Sequence, residues 1–256
     1  MDIAVSTLFC LRKPLEEVLP DIVQAGSKFI ELVDAGPHTL NQPRVERLLE
    51  LKSSYDLRYA LHAPFTDVNP AANDPQIREA VMRRLEASVR WASALGAKAY
   101  VFHPGNSTAA ERFSPGSAWR LNLKSVRRIL KYAENYGVKA MIENVPEPFP
   151  WLLKSINDFE RFFDELDTDA EVVLDVAHAY LRGEVLEFIE HFGERIGHVH
   201  VSDNHGDEDK HLQIGEGSIN WGEIVSALKR SPFDGWVVIE SYYGVAESLD
   251  LIKKLV

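Results

Sequence analysis

The sequence predicts an α/β protein, a single closed (β/α)8 barrel of the TIM type, and three observations carry that expectation. Eight short apolar runs alternate with stretches of helical period from one end of the chain to the other. No shift of composition and no low-complexity linker interrupts the alternation, so residues 1–256 are expected to form one domain. Alternating strand and helix demands parallel strands joined by right-handed crossovers, and about 32 residues per unit suits a βα pair. An open doubly wound sheet is the second choice. Its nucleotide-binding form lacks support, because neither Gly-x-Gly-x-x-Gly nor a Gly-Lys-Ser/Thr phosphate loop is present.

In chain order the strand candidates are Asp2–Ser6, Lys28–Val33, Arg58–His62, Lys98–His103, Val138–Glu143, Glu171–Asp175, Ile196–Ser202 and Gly235–Glu240. Between them, about eight helices are expected. Leu15, Val18, Ile22 and Ala25 recur at steps of three and four, as do Ile77, Val81, Leu85, Val89 and Ala92. Trp119, Leu123, Val126, Leu130 and Ala133 repeat the pattern. Asn41 is a capping residue for a helix with Pro43 in its first turn, and Asp74-Pro75 opens the longest helix. Gly26, Gly96 and Gly137 stand where left-handed C-terminal caps belong.

The formal net charge of -11 argues against nucleic acid as the main partner, since phosphate binding needs basic surface. Bound metal cations or a local basic patch would reverse the field near a site. No apolar run approaches the roughly 20 residues of a membrane helix. The start, Met1-Asp-Ile-Ala-Val-Ser, leads straight into a strand and does not look like a secretory signal. Cys10 is the sole cysteine, so no internal disulfide forms and a cytoplasmic location is expected. The sequence leaves the oligomeric state open, a homo-oligomer included.

In a barrel the chemistry collects at the C-terminal strand ends. Here those ends carry His62, His103, Glu143, Asp175, His200 and Glu240, each in a different unit. His178 follows Asp175 closely, and Asp209 and His211 lie in the loop after the seventh strand. Imidazoles and carboxylates converging on one mouth suit a divalent cation such as zinc, manganese, cobalt or magnesium. A lone strand-end histidine more often caps or packs, and a glutamate pairs with a lysine. Six consecutive strand ends of ligand type make that joint explanation poor. In His198-Val-His-Val-Ser, strand alternation puts His198, His200 and Ser202 on one face and Val199 and Val201 on the other. His198 is expected to pack or to orient a ligand; His191 and His205 are expected at the surface and Cys10 in packing. Glu31, on the second strand, points to the mouth or is structural. Phe65, Trp119 and Trp151 are candidates for the apolar wall of a substrate pocket.

The motifs His62-Ala-Pro-Phe, Phe102-His-Pro-Gly105, Ile142-Glu-Asn144, Leu174-Asp-Val-Ala-His178, His200-Val-Ser-Asp-Asn, Asp209-Lys-His211-Leu-Gln-Ile-Gly-Glu-Gly217 and Val238-Ile-Glu240 together resemble one superfamily. It is the xylose-isomerase-like TIM barrels, which include sugar and sugar-phosphate isomerases and epimerases and AP endonucleases of the endonuclease IV type. For the isomerase branch the resemblance implies one divalent metal on Glu143, Asp175, His200 and Glu240, with the two glutamates as catalytic acid and base. His178 would contact a sugar or sugar-phosphate substrate, and Arg182 would orient His178 or hold a phosphate. For the endonuclease branch it implies up to three zinc ions, with His62, His103, His178, Asp209 and His211 as further ligands. Two departures favour the isomerase branch. Val145-Pro-Glu-Pro-Phe-Pro150 stands where the endonucleases usually continue Thr-Ala-Gly, and Asp175-Val-Ala-His178 replaces Asp-Thr-Cys-His.

Overall fold

A computed structural model describes residues 1–256. Eight strands run β1 (Asp2–Ser6), β2 (Phe29–Val33), β3 (Arg58–His62), β4 (Tyr100–Phe102), β5 (Ala140–Glu143), β6 (Glu171–Asp175), β7 (Ile196–Val201) and β8 (Trp236–Ile239). All neighbours pair in parallel, and β8 returns to β1, so the sheet closes in the order of the sequence. The expected barrel is therefore the fold. Closure leaves no strand edge unpaired.

The helices are α1 (Leu15–Val23), α2 (Gln42–Tyr55), α3 (Pro75–Leu95), α4 (Ser117–Asn135), α5 (Ile156–Leu166), α6 (Val176–Tyr180), α7 (Val185–Phe192), α8 (Trp221–Arg230) and α9 (Val245–Leu255). The count is nine, not eight: α6 is a five-residue helix that starts directly on the end of β6. The Asn41 side chain accepts from Arg44 N, and Asp74 accepts from Gln76 N and Ile77 N, so both expected caps are made. Gly96 ends α3 with φ of 59°, a backbone setting where a side chain would clash. None of the helices is long and apolar enough to cross a membrane.

Three expectations are corrected. Ile77 is 59% exposed, because it lies in the first turn of α3, ahead of the stripe from Val81 to Ala92 that packs on the barrel. Ala25 falls beyond the end of α1. Several strands are also one to three residues shorter than expected, leaving His103, Ser202 and Glu240 just past the C-terminal ends. Isolated ladder bonds continue there, as from Glu240 N to Val201 O at 2.9 Å, so these side chains keep their inward aim.

Strand alternation sorts the apolar residues into two clusters of unequal size. The outward positions, among them Ile30, Leu61, Phe102, Ile142, Leu174, Val199 and Ile239, join the helices in a core of 59 buried residues. The inward positions supply only eight, Ala4, Ala60, Ala99, Val101, Met141, Val173, Trp236 and Val238. The inner cluster is small because the same inward faces turn polar one pleat further along.

Candidate active site

That next pleat carries His62, His103, Glu143, Asp175, His200 and Glu240. All but His103 are buried, and they converge at the C-terminal mouth. A cavity of about 550 Å³ opens above them, with His62, His103, Glu143, His178, Asp209, His211 and Glu240 in its lining. Asp175 and His200 are fully buried and stand behind that lining.

The ligand-type groups fall into four sets, three at the cavity and one beneath it, Glu31, His198 and His200. In the first, one donor atom each from Glu143, Asp175, His200 and Glu240 lie within 4.8 Å of one another. His200 Nδ1 is 3.2 Å from Glu143 Oε1 and 3.3 Å from Glu240 Oε2. Glu143 bridges to the second set through Oε2, which is 3.3 Å from His62 Nε2 and 3.1 Å from His103 Nε2. The third set is His178, Asp209 and His211, with both Nε2 atoms facing Asp209 Oδ2 at 3.2 and 3.3 Å.

Backbone carbonyls aim three of these histidines. His62 Nδ1 donates to Ala63 O (2.8 Å), His178 Nδ1 to Asn144 O (2.8 Å) and His211 Nδ1 to Glu240 O (3.0 Å), leaving each Nε2 turned toward the carboxylates. Local bonds fix the acids. Asp175 Oδ1 caps α6 by accepting from His178 N at 2.8 Å, and Asn144 clamps the Asp175 backbone from both sides. Asp203, fully buried, accepts from Asn204 N, Gly215 N, Ile219 N and Trp221 Nε1, which folds the loop that delivers Asp209 and His211. A Cβ at Gly217 would stand 2.1 Å from Asp203 Oδ1, so this loop requires glycine there.

The electrostatics show a site short of positive charge. Burial, reinforced by the Glu143, Asp209 and Glu240 carboxylates and only partly offset by His178, pushes Asp175 up to about 7. Its Oδ2 is buried with no hydrogen-bond partner. Burial pulls His178 and His211 down, but the acids around them prevail and raise them to about 10 and about 9. Burial likewise disfavours the Glu31 and Glu143 carboxylates, yet the facing imidazoles hold both well below the usual range. The His178 and His211 imidazoles are thus driven to hold protons because nothing else neutralises the carboxylates, whereas burial lowers His103. An orphaned carboxylate oxygen inside a mixed set of carboxylate and imidazole donors is what a divalent cation requires, and the residues present fit one.

Other expected site residues are placed elsewhere. Glu31 lies beneath the cavity, fully buried, bonded to His198 and His200 and absent from the cavity wall. It sits at the middle of β2 and so one layer too deep for contact with a substrate. Arg182 does not reach the cavity or His178. Its guanidinium pairs with Glu147 (2.7 Å) and Glu184 (3.2 Å) because the turn after α6 carries it outward. Trp119 packs on α4 against Arg161 and donates to Glu165, away from the mouth. Phe65 and Trp151 do line the cavity. His191 and His205 are at the surface, and Cys10 is buried with its thiol pushed up to about 12 by burial. Leu8, Pro148, Phe149 and Tyr242 complete the apolar wall and Glu147 and Glu208 the acidic rim, none of them marked by a sequence period. Tyr242 alone had a signal, two residues beyond Glu240.

A closed parallel barrel with its acids and imidazoles gathered at the C-terminal mouth defines the class of α/β barrels that work at that end. The chain belongs to the xylose isomerase-like TIM barrel family, which matches residues 19–255. It is similar to the crystal structure of a D-tagatose 3-epimerase-like protein, at 28% identity and a TM-score of 0.93, covering 100% of this chain and 97% of that one. An uncharacterized protein of Methanocaldococcus jannaschii is 30% identical over 94% of this chain and 84% of its own length. Fructoselysine 3-epimerase of Shigella flexneri is 20% identical over 90% of this chain and 86% of its own.

Proposed function

We propose that this chain is a divalent-metal-dependent sugar isomerase or epimerase that moves a proton between Glu143, Glu240 and a substrate carbon. The observation that carries the reading is the buried set of Glu143, Asp175, His200 and Glu240 under an open cavity, with Asp175 Oδ2 unpaired. Family membership and the epimerases among the relatives support it. These four residues would hold the cation, whose chemistry is that of a Lewis acid for adjacent carbonyl and hydroxyl oxygens.

The chain's own groups do the rest. One glutamate takes the proton from the carbon next to the carbonyl, and the electron pair moves into an enediolate. The other glutamate returns a proton, to the opposite face for epimerisation or to the neighbouring carbon for isomerisation. His178, tied to Asn144 O, presents Nε2 to a substrate oxygen. Phe65, Trp151, Phe149 and Tyr242 exclude water from the less polar part of the sugar.

The wall of the cavity also speaks to substrate charge. It contains no lysine or arginine, and the nearby Lys154 and Arg182 are both taken by Glu147. A phosphate dianion would find no lysine or arginine there, which favours an unphosphorylated sugar as the substrate of this reading. The same wall offers nothing to a DNA backbone, which weighs against hydrolysis at abasic sites by a multinuclear zinc centre, even though His62, His103, His178, Asp209 and His211 could ligate further ions.

The test is solvent-deuterium incorporation into a panel of free ketoses by metal-replete protein. Glu240→Gln serves as the contamination control, and a duplex with one abasic site is assayed in parallel. Incorporation that vanishes in the variant supports the reading. Metal-loaded protein that exchanges no ketose but nicks the duplex overturns it.

A further inference from the structure

Of the four histidines fixed by a hydrogen bond at this mouth, His200 is held the opposite way round. His62, His178 and His211 are tethered through Nδ1 and turn Nε2 to the acids. His200 turns Nδ1 to Glu143 and Glu240, while its Nε2 lies 3.1 Å from Glu31 Oε1 and 3.4 Å from Glu31 Oε2. Glu31 has no exposure and is also bonded by His198 Nε2, at 2.8 Å to Oε2. That separation is a hydrogen bond and leaves no room for an ion between the two side chains.

We propose that Glu31 and His198 are positioning residues that make His200 a ligand through Nδ1. Glu31 accepts a hydrogen bond from His200 Nε2–H, and His198 holds Glu31 in place from below. The proposal rests on the metal reading above and adds to it which nitrogen binds and which two residues decide that.

The physical argument is one of tautomers. A neutral imidazole has one donor and one acceptor nitrogen, so a carboxylate that accepts from Nε2 leaves the lone pair on Nδ1. A carboxylate partner also makes the ring a stronger donor to a cation than a carbonyl partner does. At His200 the partner is a side chain and not a backbone carbonyl, because Nε2 faces the Glu31 carboxylate from the neighbouring inward face. β2 supplies the acid at that depth and β7 supplies His198, one pleat below its own ligand. The glutamate is therefore buried by necessity, and imidazole N–H groups of His198 and His200 stand in for the water it has lost.

Glu31→Gln is the decisive variant because it keeps shape and volume. With the amide oxygen on His198, where Oε2 now accepts at 2.8 Å, the amide nitrogen takes the place of Oε1, the atom nearest His200 Nε2 at 3.1 Å. Satisfying His198 would put a donor against His200 Nε2 and force the proton onto Nδ1, where the cation should bind. Zinc affinity, measured by competition with a chromophoric chelator, is expected to fall about 10- to 100-fold in Glu31→Gln. His198→Phe removes the donor to Glu31 and is expected to lower zinc affinity by a smaller factor than Glu31→Gln; a parent-like affinity would remove His198 from the proposal. Long-range ¹H–¹⁵N correlation on the zinc-loaded parent protein needs no variant. It should show His200 protonated at Nε2 and zinc-shifted at Nδ1, with His178 the reverse if a second ion is bound. A zinc-shifted Nε2 on His200, or Glu31→Gln binding zinc as the parent does, would overturn the proposal while the metal reading stands. A parent protein that binds no zinc overturns both. Zinc binding with this pattern but no ketose exchange overturns only the isomerase reading.

Discussion

The two faces of a single strand make the most instructive contrast in this molecule. On β7, Val199 and Val201 face outward into the large apolar core, while His198 and His200 face inward among carboxylates. Both faces are buried to the same degree. On one, burial is the source of stability; on the other, it is a cost that the chain bears to hold charges close together. The outward face can be read as packing alone. The inward face reads as packing only near the N-terminal end, where Ala60, Val101 and Trp236 fill the barrel, and as chemistry from Glu143 and His200 upward.

Substitutions on the two faces should separate activity from stability. The largest effect is expected from Glu240→Gln, which should lower deuterium incorporation into ketose by about 10²- to 10⁴-fold. The thermal midpoint of the metal-free form should hold or rise, since one carboxylate leaves a crowded site. A variant of normal activity would remove Glu240 from the proton path. On the outward side, Phe159 is fully buried among Phe162, Phe163, Phe188 and Phe192. Phe159→Ala should cost about 3–5 kcal/mol in urea unfolding while zinc affinity stays that of the parent. A loss of affinity as large as the loss of stability would erase the contrast between the faces.

The pH response sharpens the same point. His178 and His211 carry folded values of about 10 and about 9, above the ordinary imidazole value of 6.5. Their stabilisation is complete below that value and is lost as pH rises through the folded values. Asp175, at about 7, keeps a proton that the unfolded chain releases from about pH 4, so its contribution also falls as pH rises, between about pH 4 and 7. The depressed Glu31 and Asp209 carboxylates act only at the acid end and do not offset this. Chelator-treated protein should therefore melt at a lower temperature near pH 9.5 than near pH 6.5. Zinc-loaded protein should show the smaller change, because the cation neutralises carboxylates that raise those two imidazoles, Asp175 and Glu143 beside His178 and Glu240 and Asp175 beside His211. A melting temperature that climbs over this range without metal would contradict the assignment. The smallest effect is expected from Trp119→Phe, which removes the indole bond to Glu165 at a cost of about 1 kcal/mol and leaves exchange untouched. Equilibrium unfolding and the ketose assay together check both halves.

Parity along a strand was legible in the sequence; height within the barrel was not. Alternation places Glu31 inward as surely as Glu143, and only the closed sheet shows that Glu31 sits a layer lower, under His200 rather than beside a substrate. Arg182 was misplaced for a related reason. Its partners, Glu147 and Glu184, come from another loop and from the turn before α7, which no local pattern connects. Trp119 obeyed its helical period and packed, as that period implied, instead of joining the pocket. The cavity wall from Leu8, Pro148 and Phe149 was invisible because loops have no period to read. The convergence of His62, His103, Glu143, Asp175, His200 and Glu240 needed only the barrel, since every one stands at or just past a strand end.

Asp203 has a consequence for how this architecture can change over generations. Its carboxylate knots the two ends of the β7 loop together, at Asn204 on one side and at Gly215, Ile219 and Trp221 on the other. The residues strung between those knots, notably the exposed His205–Glu208, are free of that constraint. Lengthening or shortening this stretch would redraw the rim while His211 remains anchored to the Glu240 carbonyl. The barrel thus offers an interchangeable cuff around a fixed centre, a place where new substrate preferences can be auditioned without rebuilding the machinery beneath.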